Sequence, residues 1–169
     1  PEIVVQILNQ LHKSGVSEHF LTVGTHALFA FESACGVRFA DEATTTQDID
    51  LLMDTQKHLL LASTLEGQNE SLLSTLQKVD ATFDLRDDQL YTAVNASGFE
   101  VDVIRRVAKD RDPHPLQVTS AERDFWVVQV GNGAQMASAA RFSQMVVAAS
   151  GRMALMGTLH PMAFSRLKQ

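Results

Sequence analysis

Two aspartates separated by a single residue, in Thr46-Gln47-Asp48-Ile49-Asp50-Leu51-Leu52-Met53-Asp54, carry the clearest chemical signal in the chain. The apolar density from Asp48 to Met53 predicts a strand in a buried sheet. Residues two apart in a strand share a face, so Asp48 and Asp50 project together while Ile49, Leu51 and Met53 project the other way. Carboxylates ~7 Å apart on one face repel each other and resist desolvation unless a cation lies between them. Mg²⁺ suits such a pair, because it prefers oxygen and needs one or two protein carboxylates beside substrate phosphates. Phe99-Glu100-Val101-Asp102-Val103-Ile104 supplies a third carboxylate: alternation sets Phe99, Val101 and Val103 on one face and Glu100, Asp102 and Ile104 on the other. If this strand lies beside the Asp48 strand, three carboxylates converge. Such a set holds two ions about 3.5 to 4 Å apart, the layout of two-metal phosphoryl transfer.

Phosphate-binding groups are expected nearby. Val23-Gly24-Thr25-His26 stands where a short strand meets a helix. Free N–H groups at a helix start, with a glycine that permits close backbone approach, make a phosphate seat, and Thr25 adds a hydroxyl or caps the helix. Arg105 and Arg106 follow the Asp102 strand directly, with Lys109 and Arg111 behind. A guanidinium matches phosphate oxygens as a fork, so Arg105 is a candidate triphosphate contact, the alternative being a solvated strand end. Arg38 is a further candidate. The six histidines include no pair at zinc-ligand spacing, His26 reads as a structural helix-face residue, and Cys35 reads as a small core residue. No GxxxxGK[ST] segment is present, which excludes a Walker-type NTPase.

The elements that must position these groups follow from periodicity. Ile3, Val4, Ile7, Leu8 and Leu11 predict a helix that stops near Lys13-Ser14-Gly15, Phe20–Val23 a strand, and residues 25–34 a mostly buried helix ending at Cys35-Gly36. Residues 37–46 read as a loop, and Leu72, Leu73, Leu76 and Val79 predict an amphipathic helix over 68–79. Period two then takes over: 82–85, 90–94 and 99–104 read as strands, the last two joined by the turn Asn95-Ala96-Ser97-Gly98. Two prolines make 110–115 a loop. Beyond it, 125–130, 144–148 and 153–156 read as strands, with Gly131-Asn132-Gly133 as a hairpin turn. The order predicts an α+β (mixed α/β) fold, with a core over 1–110 and a strand-rich extension of the same domain over 111–169.

A length of 169 residues with 45% hydrophobic and 20% charged side chains describes one globular domain. No apolar run approaches the roughly 18 residues of a membrane span. The single cysteine rules out an internal disulfide and makes the cytoplasm the expected compartment. Charge is divided unevenly: residues 1–104 hold 5 basic and 16 acidic side chains, and 105–169 hold 9 basic and 4 acidic. That balance argues against a generic duplex-DNA patch and locates phosphate-meeting groups in the second part. Pro1 is not an initiator methionine, and 161–169 reads as the opening turns of a helix, so a domain cut from a longer protein is expected.

In order and character, Val23-Gly24-Thr25, Asp48-Ile49-Asp50-Leu51-Leu52 and Val101-Asp102-Val103-Ile104 resemble the signature of the DNA polymerase β-like nucleotidyltransferase superfamily. Gly24-Thr25-His26-Ala27-Leu28, Gly36-Val37-Arg38-Phe39 and Thr46-Gln47-Asp48-Ile49-Asp50-Leu51 look similar to a bacterial nucleotidyltransferase-fold group within it. Thr25 stands where Gly or Ser is commoner. The resemblance covers roughly 20–106 and implies a mixed sheet flanked by helices. It further implies that Asp48 and Asp50 ligate two Mg²⁺ ions, with Mn²⁺ able to replace them, and that Asp102 is a third ligand or the base for an acceptor hydroxyl. Gly24 and Thr25 would contact the triphosphate of an NTP. The implied reaction passes a nucleotidyl group from the NTP to RNA, protein or a small molecule and releases pyrophosphate. The alternative is an inactive domain of that fold that senses nucleotide or binds a partner.

Overall fold

The computed structural model describes residues 2–167. Helix α1 (Glu2–Lys13) leads to strand β1 (Phe20–Val23), a 3₁₀ turn (Thr25–Ala27) and helix α2 (Leu28–Cys35). A single-turn helix α3 (Asp41–Thr44) precedes β2 (Asp48–Met53), α4 (His58–Glu66) and α5 (Leu72–Gln77). Strands β3 (Asp84–Arg86), β4 (Gln89–Val94), β5 (Glu100–Arg106) and β6 (Val128–Val130) follow, then α6 (Gly133–Ser138), β7 (Arg141–Val147), β8 (Met153–Leu159) and α7 (Pro161–Leu167). The fold is mixed α+β.

The main sheet runs β1-β2-β5-β4-β3, with β6 also paired to β5. β2 and β5 are parallel, β1 is antiparallel to β2, and β4 is antiparallel to β5. β4 takes the first half of the second edge of β5, opposite 100–102, and β6 takes the last part, opposite 104–106. β7 and β8 form a separate two-stranded sheet.

The two faces of the main sheet differ. On one, Ile49, Leu51, Met53, Val101 and Val103 join the main core with Val4, Ile7 and Leu11 of α1, Leu61 and Leu65 of α4, and Leu72 and Leu76 of α5. Each fully buried branched side chain stabilises the fold by about 1.5–3 kcal/mol relative to exposure. On the other face, Leu21, Val23, Leu52 and Ile104 meet Met136 of α6 and Leu159 of β8, and Ala163 and Leu167 of α7 pack against them. This smaller cluster covers part of the second face and leaves Asp48, Asp50 and Asp102 beside it.

Several expectations need correction. α4 has no amphipathic stripe to announce it: Leu59 is 81% and Leu60 55% exposed, so apolar residues fall all round the helix. The helix expected over 68–79 is shorter, because Ser71 caps α5 with a reciprocal Ser71–Ser74 capping box that sets its start. Cys35 is exposed at the end of α2, where Gly36 (φ 65°) closes the helix. The strand expected at 125–130 is regular only over Val128–Val130.

Gly131-Asn132-Gly133 is not a hairpin turn; it opens α6, and the reason is steric. A Cβ on Gly133 would lie 2.5 Å from Arg106 Cα and 2.9 Å from the Arg105 carbonyl oxygen, so glycine lets α6 press onto the backbone of β5. Gly133→Ala is therefore expected to destabilise by about 1–3 kcal/mol in urea unfolding, although alanine is the better helix former. Gly131→Ala, with open space around the new methyl, is the control and should change little.

Candidate active site

β2 and β5 bring the three aspartates together through their register. Asp50 pairs with Asp102 and Asp48 with Glu100, so four carboxylates stand on one face as two cross-strand pairs. All four are half-buried. Parallel neighbours at strand spacing are close enough for like charges to oppose ionisation. Burial, then Asp102, then Asp48 push the Asp50 carboxyl up from 3.8 to about 6. Burial also raises Asp102, while a hydrogen bond from Thr92 works against that rise.

Gly24 lies against this pair. Its backbone has φ 70° and ψ −156°, a conformation that glycine alone adopts readily, and a Cβ there would sit 2.6 Å from Asp50 Oδ2. The strand-to-helix turn thus closes directly over the Asp50 carboxylate. Thr25 begins the 3₁₀ turn that leads into α2, and it is partly exposed beside Gly24. His26, the next residue, is 3% exposed; its Nε2 lies 3.3 Å from Thr46 Oγ1 and its ring packs near Phe29 and Phe99. Burial pulls its pKa down to about 4, so the imidazole is neutral at pH 7. Beside it, a cavity of about 360 Å³ is lined by Arg38, Phe39, Thr46 and Gln47 among others, which places Arg38 near the start of β2. A larger groove of about 630 Å³ between α1 and the β7–β8 hairpin contains none of the four carboxylates.

The arginines are not arranged as expected. Arg105 alternates with Val101 and Val103, not with Asp102, and is fully buried on the main-core side of β5. Its Nη2 lies 2.9 Å from His114 Nδ1, and its Nε and Nη1 have no partner within the described residues. The structure therefore does not bring Arg105 to the carboxylates. Arg106 is held by Asp112 at 2.5 Å and 3.3 Å. The guanidinium that does reach the acidic row is Arg86, whose Nη1 donates to Glu100 Oε1 at 2.9 Å while Nε and Nη2 donate to Asp88.

Thr92 was not evident from the sequence. It lies opposite Asp102 in the antiparallel β4–β5 pair, and its hydroxyl donates to Asp102 Oδ1 at 2.5 Å. Counting outward from a four-residue turn at 95–98 would pair Val94 with Phe99 and Thr92 with Val101. The real loop takes in Phe99, whose N–H donates to Asn95 Oδ1 at 2.8 Å, and this moves the register by one residue. Glu100 had a visible signal, since it shares the alternation of Asp102.

Asp48, Asp50 and Asp102 offer oxygen alone, which fits Mg²⁺ or Mn²⁺ and not a thiolate- or imidazole-seeking ion. Among the described residues they are not drawn together as a set of three metal-holding side chains; they form an open row. The raised Asp50 pKa belongs to the same chemistry, because a neighbouring cation is what would favour its ionised form.

The structure thus brings together, on one mixed sheet, the D-x-D strand, the third aspartate and the glycine turn on which the sequence resembles nucleotidyltransferases. A family model described as Nucleotidyltransferase matches residues 2–169, and the chain belongs to that family. Searches among curated proteins and among solved structures return no match. Among the described residues no helix is long and apolar enough to cross a membrane.

The Asp50 shift has a consequence for stability. At low pH the carboxyl is protonated in both folded and unfolded chains and contributes nothing. Between about pH 4 and 6 the unfolded chain ionises first, so folding loses stability as pH rises through that window. In chelator-treated buffer, Asp50→Asn should flatten the denaturation profile between those values. Above pH 6 it should be more stable than the wild type by about 1 kcal/mol, a figure reduced for solvent screening of a half-buried group. Superimposable profiles would show that burial and the neighbouring carboxylates together do not raise Asp50.

Proposed function

We propose that this protein transfers a nucleotidyl group from an NTP to a hydroxyl of an acceptor and releases pyrophosphate, with two Mg²⁺ ions, replaceable by Mn²⁺, held by Asp48, Asp50 and Asp102. The observation that carries this reading is the in-register Asp50–Asp102 pair, with Asp48 on the same face and the Gly24 backbone against Asp50. When bound, the ions would supply charge neutralisation at the attacking and leaving oxygens. Asp48 and Asp50 present carboxylate oxygens from one rigid strand, so their relative position needs no rearrangement of a loop. Gly24 and Thr25 offer N–H groups and a hydroxyl to the triphosphate, and the absence of a side chain at Gly24 lets phosphate approach the backbone.

In the proposed reaction the acceptor oxygen forms a bond to the α-phosphorus, and the bond from that phosphorus to the bridging oxygen breaks. Pyrophosphate leaves with the bonding electrons. Asp102, raised above the ordinary carboxylate value chiefly by burial, orients the acceptor hydroxyl and receives its proton. Arg86 holds Glu100 and so keeps a fourth negative charge beside the row neutralised.

The acceptor class is RNA, protein or a small molecule. Incubation with each α-labelled NTP, Mg²⁺ or Mn²⁺ and a cell lysate should transfer label to an acceptor, and Asp50→Asn should reduce transfer to background. Equal labelling by mutant and wild type would overturn the assignment. Calorimetric binding of NTP that is indifferent to Mg²⁺, with no transfer, would instead indicate a nucleotide-sensing domain, a reading that the open spacing of the carboxylates favours.

A further inference from the structure

The β3–β4 hairpin contains an irregularity next to the acidic row. Leu85 pairs with Ala93, but the next residue, Arg86, pairs with Gln89, so β4 carries extra residues with no partner on β3. In a regular strand, Gln89 and Thr92 would point to opposite faces, being three residues apart. The bulge bends β4 enough that Gln89 Nε2 lies 3.1 Å from Thr92 Oγ1. Thr92 in turn lies 2.5 Å from Asp102 Oδ1. The same turn delivers Arg86 to Glu100. Two ties from one hairpin therefore reach the two carboxylates of β5.

The direction of the first tie is determined by chemistry. An ionised carboxylate accepts only, and a hydroxyl has one proton, so Thr92 Oγ1–H donates that proton in a hydrogen bond to Asp102 Oδ1. Thr92 must then accept from the Gln89 amide, which has N–H groups to give. Thr92 is fully buried, so water cannot readily stand in for either partner. Asp102 Oδ1 is thus engaged, whereas Oδ2 has no hydrogen-bond partner among the described residues.

We propose that Thr92, oriented by Gln89, is a positioning residue that fixes the rotation of the Asp102 carboxylate and leaves Oδ2 as the oxygen presented to a divalent ion and the acceptor hydroxyl. This inference rests on the function proposed above. It adds that the irregular hairpin, lying outside the D-x-D strand and the glycine turn, sets the geometry of the third aspartate. Thr92 itself touches neither substrate nor ion; it acts through Asp102. Partners of this outer kind change metal affinity or activity by about 10- to 100-fold when removed.

The test uses the full chain and Mn²⁺ alone as probe, with free Mn²⁺ read by electron paramagnetic resonance. Thr92→Val keeps the shape and removes the hydroxyl; it should weaken Mn²⁺ binding about tenfold. Thr92→Ser, which restores the hydroxyl, should return affinity to near the wild-type value. Gln89→Met, which cuts only the outer link and leaves the buried threonine intact, should show a smaller loss in the same direction. In the transfer assay, Thr92→Val should lower kcat about tenfold or more while KM for the NTP holds. Wild-type Mn²⁺ affinity in Thr92→Val, or equal losses in Thr92→Val and Thr92→Ser, would overturn the positioning role while Asp50-dependent binding leaves the site assignment standing. If wild-type Mn²⁺ binding does not depend on Asp50, the site assignment falls and the role of Thr92 falls with it.

Discussion

The structure depends on the parallel register of β2 against β5. That register sets Asp50 beside Asp102 and Asp48 beside Glu100, and at Asp50 burial together with the neighbouring Asp102 and Asp48 disfavours the ionised form. Every other feature of the site compensates for or exploits this juxtaposition. Arg86 neutralises Glu100, Thr92 donates to Asp102, and Asp50 is left with its carboxyl pushed up to about 6. The unbalanced charge that remains is what supports the proposal that the row takes a cation.

Holding four carboxylates in register requires a platform that cannot relax, and the opposite face of the same strands provides it. Ile49 and Leu51 of β2, with Val101 and Val103 of β5, are fully buried in the main core. A shift by one residue would bury the aspartates and expose these side chains, so apolar burial on one face enforces charge alignment on the other. Two glycines complete the platform from the second face. Gly24 lets the strand-to-helix turn close over Asp50, and Gly133 lets α6 press on β5 and bring Met136 to the apolar cluster.

The charge asymmetry between the two parts of the chain has a different outcome from the one composition suggests. Of the basic residues after position 104, Arg105 is buried, Arg106 is held by Asp112, and Arg123 pairs with Asp84 and Asp87. Three of those nine basic side chains are thus buried or held by acids away from the row. The guanidinium next to the acidic row comes from the acidic part, at Arg86. Net charge over a segment counts groups without their directions, and a strand sends successive side chains to opposite faces.

Alternation alone was enough to read which carboxylates share a strand face, because the period of two is local and the apolar partners Ile49, Leu51, Val101 and Val103 mark the buried side unambiguously. β2 and the three strands from 84 to 106 were legible from the same local period, α1 from its apolar recurrence at three- and four-residue spacing, and β1 and the β7–β8 hairpin from short apolar runs between turns. α4 was not, since Leu59 and Leu60 break the helical stripe. Arg105 was misplaced because it was read as a strand end, whereas β5 runs on to Arg106 and the same alternation puts Arg105 with Val101 and Val103 on the far face, where His114 meets it. Thr92 and Gln89 were invisible because their contacts follow from a five-residue loop and a bulge, each of which alters register without altering local periodicity. The sequence by itself determined the chemistry of the row and the strands that bear it. Tertiary structure decided which strands are neighbours, in what register, and which buried hydroxyl and guanidinium meet the acids, because those contacts join residues that no local period relates.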